Sequence, residues 1–400
     1  MQVGIVGKPN AGKSTFFSAA TLTLVPIANY PFTTIKPNHG VSYLRTKCVC
    51  RDLDLTDNPK NSTCIDGERF VPVDIIDCPG LVPGASEGRG LGNRFLDELR
   101  RADALIHVVD ASGSTDVEGK LVDAGSHDPV EDVRFLEREL DNWILQIVTK
   151  DWDRIARRAD TDLEQVSIGL AEKLSGLGVT RVQVDEGLRM MGVRSKPRDW
   201  SRDEIFQLVS FLRKLAKPIL LAGNKVDLPS SGTNIVRLKE MEKLTVPVSA
   251  EAELALRRAG EKHLIRYKPG DSDFSVDPGA SLSPEQTSAL EVIRDRVLLR
   301  IGGTGVQESI NSAFFRLLRM IVVFPVEDAE RFSDHSGNVL PDALLIREGS
   351  TLKDLAFKIH TRLGERLLYG INARNGMRIG EDYVLKDRDI VKVVSAAGRG

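Results

Sequence analysis

The stretch that most constrains this chain is Gly7-Lys8-Pro9-Asn10-Ala11-Gly12-Lys13-Ser14, followed by Thr15. The apolar run Val3-Gly4-Ile5-Val6 precedes it, and the helix-compatible run Phe16-Phe17-Ser18-Ala19-Ala20 follows. A strand, a glycine-rich turn and a helix start, in that order, are the context a phosphate-binding loop requires. Gly7 and Gly12 let the backbone curl, so that N–H groups from Lys8 through Thr15 turn inward around an anion. The helix opening at Lys13 adds its positive dipole end beneath the phosphates. Lys13 is expected to reach the β- and γ-phosphates of a nucleoside triphosphate, and the Ser14 hydroxyl to ligate Mg²⁺.

A chain of 400 residues exceeds what one hydrophobic core usually supports, so two or three domains are expected. Hydrophobic residues at 41% and charged residues at 28% are ordinary globular composition. A formal net charge of −2 argues against a uniformly basic coat for nucleic acid. No apolar run approaches membrane-spanning length and the phosphate loop begins at the N-terminus, so the expectation is a cytoplasmic protein without a membrane partner. The cysteines, Cys48, Cys50, Cys64 and Cys78, are too few for a disulfide framework. Cys48, Cys50 and Cys64 are candidate zinc donors. The C-x-C spacing and the lack of an accompanying histidine favour reduced, structural thiols instead.

Asn29-Tyr30-Pro31-Phe32-Thr33-Thr34-Ile35 reads as a loop, placed where a phosphate-sensing threonine would complete the Mg²⁺ shell. Chemistry alone does not choose between Thr33 and Thr34. Residues 40–76 read as β-rich, with strands at Val41–Leu44 and Phe70–Ile76 and a polar loop between them that has no evident function. The second strand runs into Asp77-Cys78-Pro79-Gly80, the D-x-x-G arrangement. It places the Asp77 carboxylate near Mg²⁺ and the Gly80 N–H on the γ-phosphate. Leu81 stands where a water-orienting glutamine is common, which predicts slow intrinsic turnover. The glycine-rich segment Pro83–Asn93 suits a mobile switch. His107, inside the strand pattern Ala104–Val109, reads as a packed residue rather than a catalyst.

From Asp128 the pattern turns helical, with Asp128 as N-cap, Pro129 at the first position and Glu131 placed to close a capping box. Helical runs continue to Leu215, and Ser201 with Glu204 forms a second box. The Arg and Lys residues of this insertion, among them Arg154, Arg157, Arg158, Lys196, Arg198 and Arg202, read as a solvated face interleaved with acids. Strands resume at Pro218–Ala222 and end in Asn224-Lys225-Val226-Asp227. In this N-x-x-D arrangement Asp227 is expected to accept the ring N–H and exocyclic amino protons of guanine. Asn224 is expected to bond the base, and the Lys225 stem to cover its face. Ser249-Ala250-Glu251 ends another strand, with a backbone N–H near Ala250 expected on the guanine oxygen. Helices are predicted near 283–298 and from Val306 to Met320. The tail from Val322 reads as a small α+β domain, whose helix from Thr351 is expected to bury Leu355, Ile359 and Leu363. Lys358, Arg362 and Arg366, spaced by four, would share one helical face.

These motifs together resemble the Obg-related GTPases, specifically the YchF or Obg-like ATPase subfamily in its archaeal form. The matching residues are Gly7–Ser14, Asn29–Thr34, Asp77–Ala85 and Glu87–Gly92, and the tail with Phe324-Pro325-Val326 and Ala356–His360 is similar to a TGS domain. The resemblance covers essentially the whole chain. It implies an α/β P-loop GTPase domain with a doubly wound, mostly parallel sheet at residues 1–127 and 216–320. An all-helical insertion would occupy 128–215, and a β-grasp TGS domain 321–400. It further implies Thr34 as the Mg²⁺ ligand beside Ser14 and Asp77, with Lys13, Thr34, Gly80 and Asn10 as catalytic residues. Asn10 would help hold K⁺ in place of missing positive charge. A GTP/GDP switch, monomeric and associated with ribosomes or RNA through the TGS and helical parts, is the expected function. Several relatives replace the final Asp of N-K-x-D and accept ATP; this chain keeps both Lys225 and Asp227, so GTP is the expected nucleotide. The alternatives are an ATP-preferring stress regulator and a nucleotide-bound scaffold for RNA or protein.

Overall fold

The computed structural model describes residues 1–22, 38–81, 84, 98–158, 163–192 and 195–396. The expected threonine loop with Thr33 and Thr34, and all of the glycine-rich segment 83–93 except Gly84, lie outside the described residues. The chain divides into two compact units. One comprises Met1–Ala20, Asn38–Gly40 and Asp74–Ser309, and the other contains Val41–Val73 with Ile310–Gly400.

Short apolar runs bounded by turn residues form the strands of the first unit. They are β1 (Gln2–Val6), the C-terminal end of β4 (Glu68–Asp77), β5 (Ala104–Asp110), β6 (Ile219–Asn224) and β7 (Thr245–Pro247), in the order β4-β1-β5-β6-β7 and all parallel. Every residue of β5 is buried, as a strand covered on both faces requires. The register aligns Ile5 with Asp77, Val6 with His107, and Asp110 with Asn224. The carboxyl ends of β1, β4, β5 and β6 therefore fall together, where open parallel sheets place ligands. This is the doubly wound sheet expected from the sequence.

The helices at Pro129–Thr149, Trp152–Arg158, Leu163–Leu174, Arg181–Met191 and Arg202–Ala216 do not form a core of their own. One apolar cluster runs from sheet residues Val6, Ile76 and Leu105 through Leu136, Trp143 and Val148 to Val166, Leu208 and Leu212. Asp128 caps its helix through Val130 N at 3.0 Å, as expected. Glu131 does not close the box, because its carboxylate pairs with Arg134 at 3.0 Å. Ser201 and Glu204 do form a complete capping box.

In the second unit β2 (His39–Lys47) neighbours β4, and β3 (Thr63–Ile65) pairs antiparallel with its start. A five-stranded sheet runs β11-β10-β14-β12-β13, built from β10 (Met320–Val326), β11 (Leu344–Arg347), β12 (Leu367–Asn372), β13 (Met377–Ile379) and β14 (Ile390–Ser395). Helix Leu352–Ile359 packs Leu352 and Leu355 onto Val323 and Val391 of this sheet. Two expectations are corrected here. The helix from Val306 ends before Met320, since Arg319 takes a left-handed φ of 50° and Met320 opens β10. Lys358, Arg362 and Arg366 share no continuous helix, because His360 is extended and caps a new short helix, Thr361–Glu365. The same break leaves Ile359 37% exposed instead of buried.

The polar loop 53–62 of the second unit acquires a role. Asn58 N and Lys60 N donate to Val339 O and Pro341 O at 3.1 and 2.7 Å, and Asn61 brackets Ala343. Arg69, fully buried, donates to Ser62 and Leu340 O and lies 5.3 Å over the Phe324 ring.

Candidate nucleotide-binding site

β1 delivers the chain into the loop at Gly7, and the helix Lys13–Thr21 leaves it. Asn10 takes a left-handed φ of 60° and Gly12 one of 91°. At Gly12 the requirement is steric as well, since a Cβ there would lie 2.1 Å from the Asn224 amide nitrogen. Lys13 Nζ lies 3.0 Å from Asp77 Oδ1 at the end of β4. Asn10 and Ser14 are exposed, and Pro9, Gly12, Lys13 and Thr15 half-buried; Ala11 is buried.

The side chain of Lys8 takes no part in the expected cradle. Its ammonium is buried, 2.8 Å from the Asp132 carboxylate and 2.8 Å from Thr115 O. Its side chain is therefore an internal strut, and only its backbone remains for a phosphate. Burial raises the Asp132 pKa, while Lys8 and His127 pull against that rise.

Asn224 likewise works within the protein. Its amide donates to Ala11 O at 2.9 Å, and its oxygen accepts Ala250 N at 3.0 Å. It thus braces the phosphate loop against the Ser249-Ala250 turn, and the Ala250 N–H expected on the guanine oxygen serves that brace. Ser249 Oγ donates to Asp227 Oδ1 at 2.8 Å and fixes the carboxylate. Lys225, at φ 66°, donates to Asp110 Oδ2 at 2.9 Å and to Ser114 at 3.1 Å. Its stem stays only partly covered, and Glu251 is exposed.

Reading the sequence missed Asp110 and the loop after it. Asp110 is fully buried at the end of β5 and accepts from Ser112, Ser114, Thr115 and Lys225. Burial pushes its pKa up, but the bonds from Ser112, Lys225 and Thr115 outweigh burial and hold it below the usual carboxylate value. The signal was present as an apolar strand ending in an acid followed by Ser112, Ser114 and Thr115. The loop then turns at Gly119, whose carbonyl accepts the Asn10 amide at 2.9 Å. Gly119 has φ 83°, and a Cβ there would meet Pro9 O at 2.5 Å. Leu81 is buried with Val6, Ile76 and Leu99, and its N–H donates to Gly7 O at 3.1 Å. The residues flanking Gly80 therefore have no polar side chain aimed at a phosphate.

Three family models match this chain. Residues 2–148 match a 50S ribosome-binding GTPase model, residues 222–328 the G4 motif-containing domain of the Obg-like GTPase YGR210-like model, and residues 336–395 the TGS domain. An uncharacterized GTP-binding protein of Methanocaldococcus jannaschii is 50% identical over 397 residues, 99% of each chain. The ribosome-binding ATPase YchF of Bacillus subtilis is 31% identical over 295 residues, 69% of this chain and 73% of that one. The chain belongs to the YchF-related, Obg-like family of GTP-binding proteins. A crystal structure of a GTP-binding protein from Pyrococcus horikoshii is similar throughout, with a TM-score of 0.78 and 42% identity over 99% of this chain and all of that one. The Schizosaccharomyces pombe YchF structure, at 21% identity and a TM-score of 0.60, shares the fold.

For this YchF-related protein the Mg²⁺ question is one of donor chemistry. Ser14 and Asp77 offer a hydroxyl and a carboxylate, the hard oxygen donors that cation prefers, and Asp77 is held in place by Lys13. The residues fit. Among the described residues no helix is long and apolar enough to cross a membrane.

Proposed function

We propose that this protein binds GTP and hydrolyses it slowly to GDP and phosphate with Mg²⁺, as a nucleotide switch that associates with ribosomes. The observation that carries the reading is the register placing the phosphate loop, Asp77, Asp110 and Asn224 at one edge of a single parallel sheet. In this reading the backbone of Lys8 to Thr15 cradles the phosphates, with Lys13 on the β- and γ-oxygens. Ser14, Asp77 and Thr34 would hold Mg²⁺, which when bound offsets charge developing on the γ-phosphate. Gly80 N–H would sense that phosphate. Asp227, oriented by Ser249, would read the guanine edge, flanked by the Lys225 stem, with Ser249, Ala250 and Glu251 forming the wall beyond. Asn10 would place K⁺ beside the phosphates, and equal turnover in K⁺ and Na⁺ buffers would remove that role. Ribosome association rests on the names of relatives such as the Bacillus subtilis protein, and on the 2–148 model match. The three-part division at 128, 216 and 321 and a cytoplasmic, monomeric state belong to the same proposal.

Competition between labelled GTP and ATP is the direct test. A second reading, ATP preference, is favoured by the ATPase name of the Bacillus subtilis relative. Tighter ATP binding would establish it, whereas the carboxylate retained at Asp227 supports GTP. Co-sedimentation with ribosomes in a non-hydrolysable GTP analogue but not in GDP is the expected switch behaviour. Binding that ignores the nucleotide would favour a scaffold.

A further inference from the structure

Outside the nucleotide site, the described residues of the second unit gather a group of metal-ligating side chains around the buried Arg69. Cys48 leaves β2 in an extended conformation, and Cys50 follows in the one-turn helix Val49–Asp52. Asp57 comes from the polar loop and Cys64 from β3. One donor atom from each of the four lies within 4.8 Å of every other. In sequence the C-x-C spacing and the lack of an accompanying histidine argued against a site. Asp57, which carries no motif, is the donor that sequence could not supply.

Two of the separations lie close to those of a tetrahedral zinc. With Zn–S bonds of about 2.3 Å, two sulfurs on one tetrahedral zinc lie about 3.8 Å apart. Cys50 Sγ and Cys64 Sγ are 3.8 Å apart. A sulfur and a carboxylate oxygen on that ion would be about 3.6 Å apart; Cys48 Sγ and Asp57 Oδ2 are at 3.2 Å. A disulfide needs about 2.05 Å, so the cysteines are not bonded to each other. Cys48 and Cys50 are buried and Cys64 is half-buried. Arg69 supplies the outer shell. Its Nε and Nη2 point at Cys48 Sγ at 3.4 Å, and Nη2 donates to Asp57 at 2.7 Å. Such N–H donors orient the ligands and offset the negative charge of three thiolates and a carboxylate.

We propose that Cys48, Cys50, Asp57 and Cys64 form a structural zinc site. Thiolate-rich tetrahedral donors select Zn²⁺ over the Mg²⁺ of the nucleotide site. On binding, each thiol loses its proton to the buffer as its S–Zn bond forms, and the ionised Asp57 adds the fourth bond. Four donors from a helix turn, a loop and a strand are joined at one point, so the loop whose residues 58–61 bond Val339, Pro341 and Ala343 is held in shape.

The test uses the full chain purified without chelator. Elemental analysis is expected to find about one zinc per chain. Replacement by Co²⁺ is expected to give the strong visible bands and thiolate charge-transfer absorption of a tetrahedral thiolate site, abolished by added Zn²⁺. Cys50→Ser and Cys64→Ser are expected to lose the metal, and Asp57→Asn to weaken Co²⁺ binding. Should a variant misfold, the wild-type Co²⁺ spectrum decides by itself. A chain that retains no zinc and gives only the weak spectrum of hydrated Co²⁺ overturns the proposal. So does intact mass showing a Cys50–Cys64 disulfide in freshly purified protein.

Discussion

Asp110 shows how one buried carboxylate organises a site from behind. It holds Lys225 and three hydroxyls at once, so Asp110→Asn leaves Lys225 without its counter-charge. Breaking such a buried pair costs about 3–5 kcal/mol; a lowered thermal midpoint and weakened guanine-nucleotide binding are the expected measurements. Asp227→Asn should leave stability within about 0.5 kcal/mol, as for other partly exposed polar changes. It should weaken GTP about 10–100-fold, the worth of a charge-assisted hydrogen bond. Leu81→Gln is expected to slow or leave unchanged GTP turnover, because the new amide enters the cluster of Val6, Ile76 and Leu99 and costs about 1–3 kcal/mol there. His107 carries the pH prediction. Burial lowers its pKa to about 3 from an ordinary 6.5, and its fully buried Nδ1 lacks a partner among the described residues. Between those values the unfolded chain takes a proton that the folded one refuses, so stability falls as pH drops from 6.5 towards 3. The slope is at most about 1.4 kcal/mol per pH unit. Chemical denaturation at several pH values should show it, and His107→Leu should flatten it.

At the scale of elements, the unanticipated one is the loop 111–127. Gly119 touches Pro9 and Asn10, so this loop and the phosphate loop share a boundary with no room for a side chain. Gly119→Val combines a clash at Pro9 O with a disfavoured left-handed φ. It should speed release of a fluorescent guanine nucleotide in stopped-flow measurements while leaving the distant helices intact by circular dichroism. This loop was illegible because its contacts are with a turn more than a hundred residues earlier, and no local pattern announces them. The strands and helix starts were legible for the opposite reason. The Ser201–Glu204 box, the helix start at Thr351, the apolar run of β5 and the glycines around Lys13 are each decided within a few residues. The face of Lys358, Arg362 and Arg366 failed because one extended residue, His360, interrupts a spacing that counts only continuous turns.

Across the whole molecule, the sequence told most about the sheet and least about what side chains do at its edge. Asn224 was read as a ligand for the base, yet its side chain bonds Ala11, 213 residues earlier, and Ala250, 26 later, and the Lys8 ammonium is turned to Asp132. Packing also divides the chain differently from motif order, since Val41–Val73 groups with Ile310–Gly400. Calorimetry is expected to resolve two transitions, of which a non-hydrolysable GTP analogue raises only that of the unit with the phosphate loop. A shift of both by the same amount would show one cooperative body.

The Asn224 brace has a consequence for the order in which this protein comes into being. Its bonds span 213 residues back to Ala11 and 26 forward to Ala250. During synthesis the phosphate loop emerges first, when neither Asn224 nor Asp227 yet exists. Contacts so far apart along the chain close late, after the intervening strands have paired. A nascent chain short of Ala250 therefore lacks half of the Asn224 brace on its phosphate loop, and in ribosome-stalled chains of increasing length nucleotide affinity is expected to rise once Ala250 has left the exit tunnel.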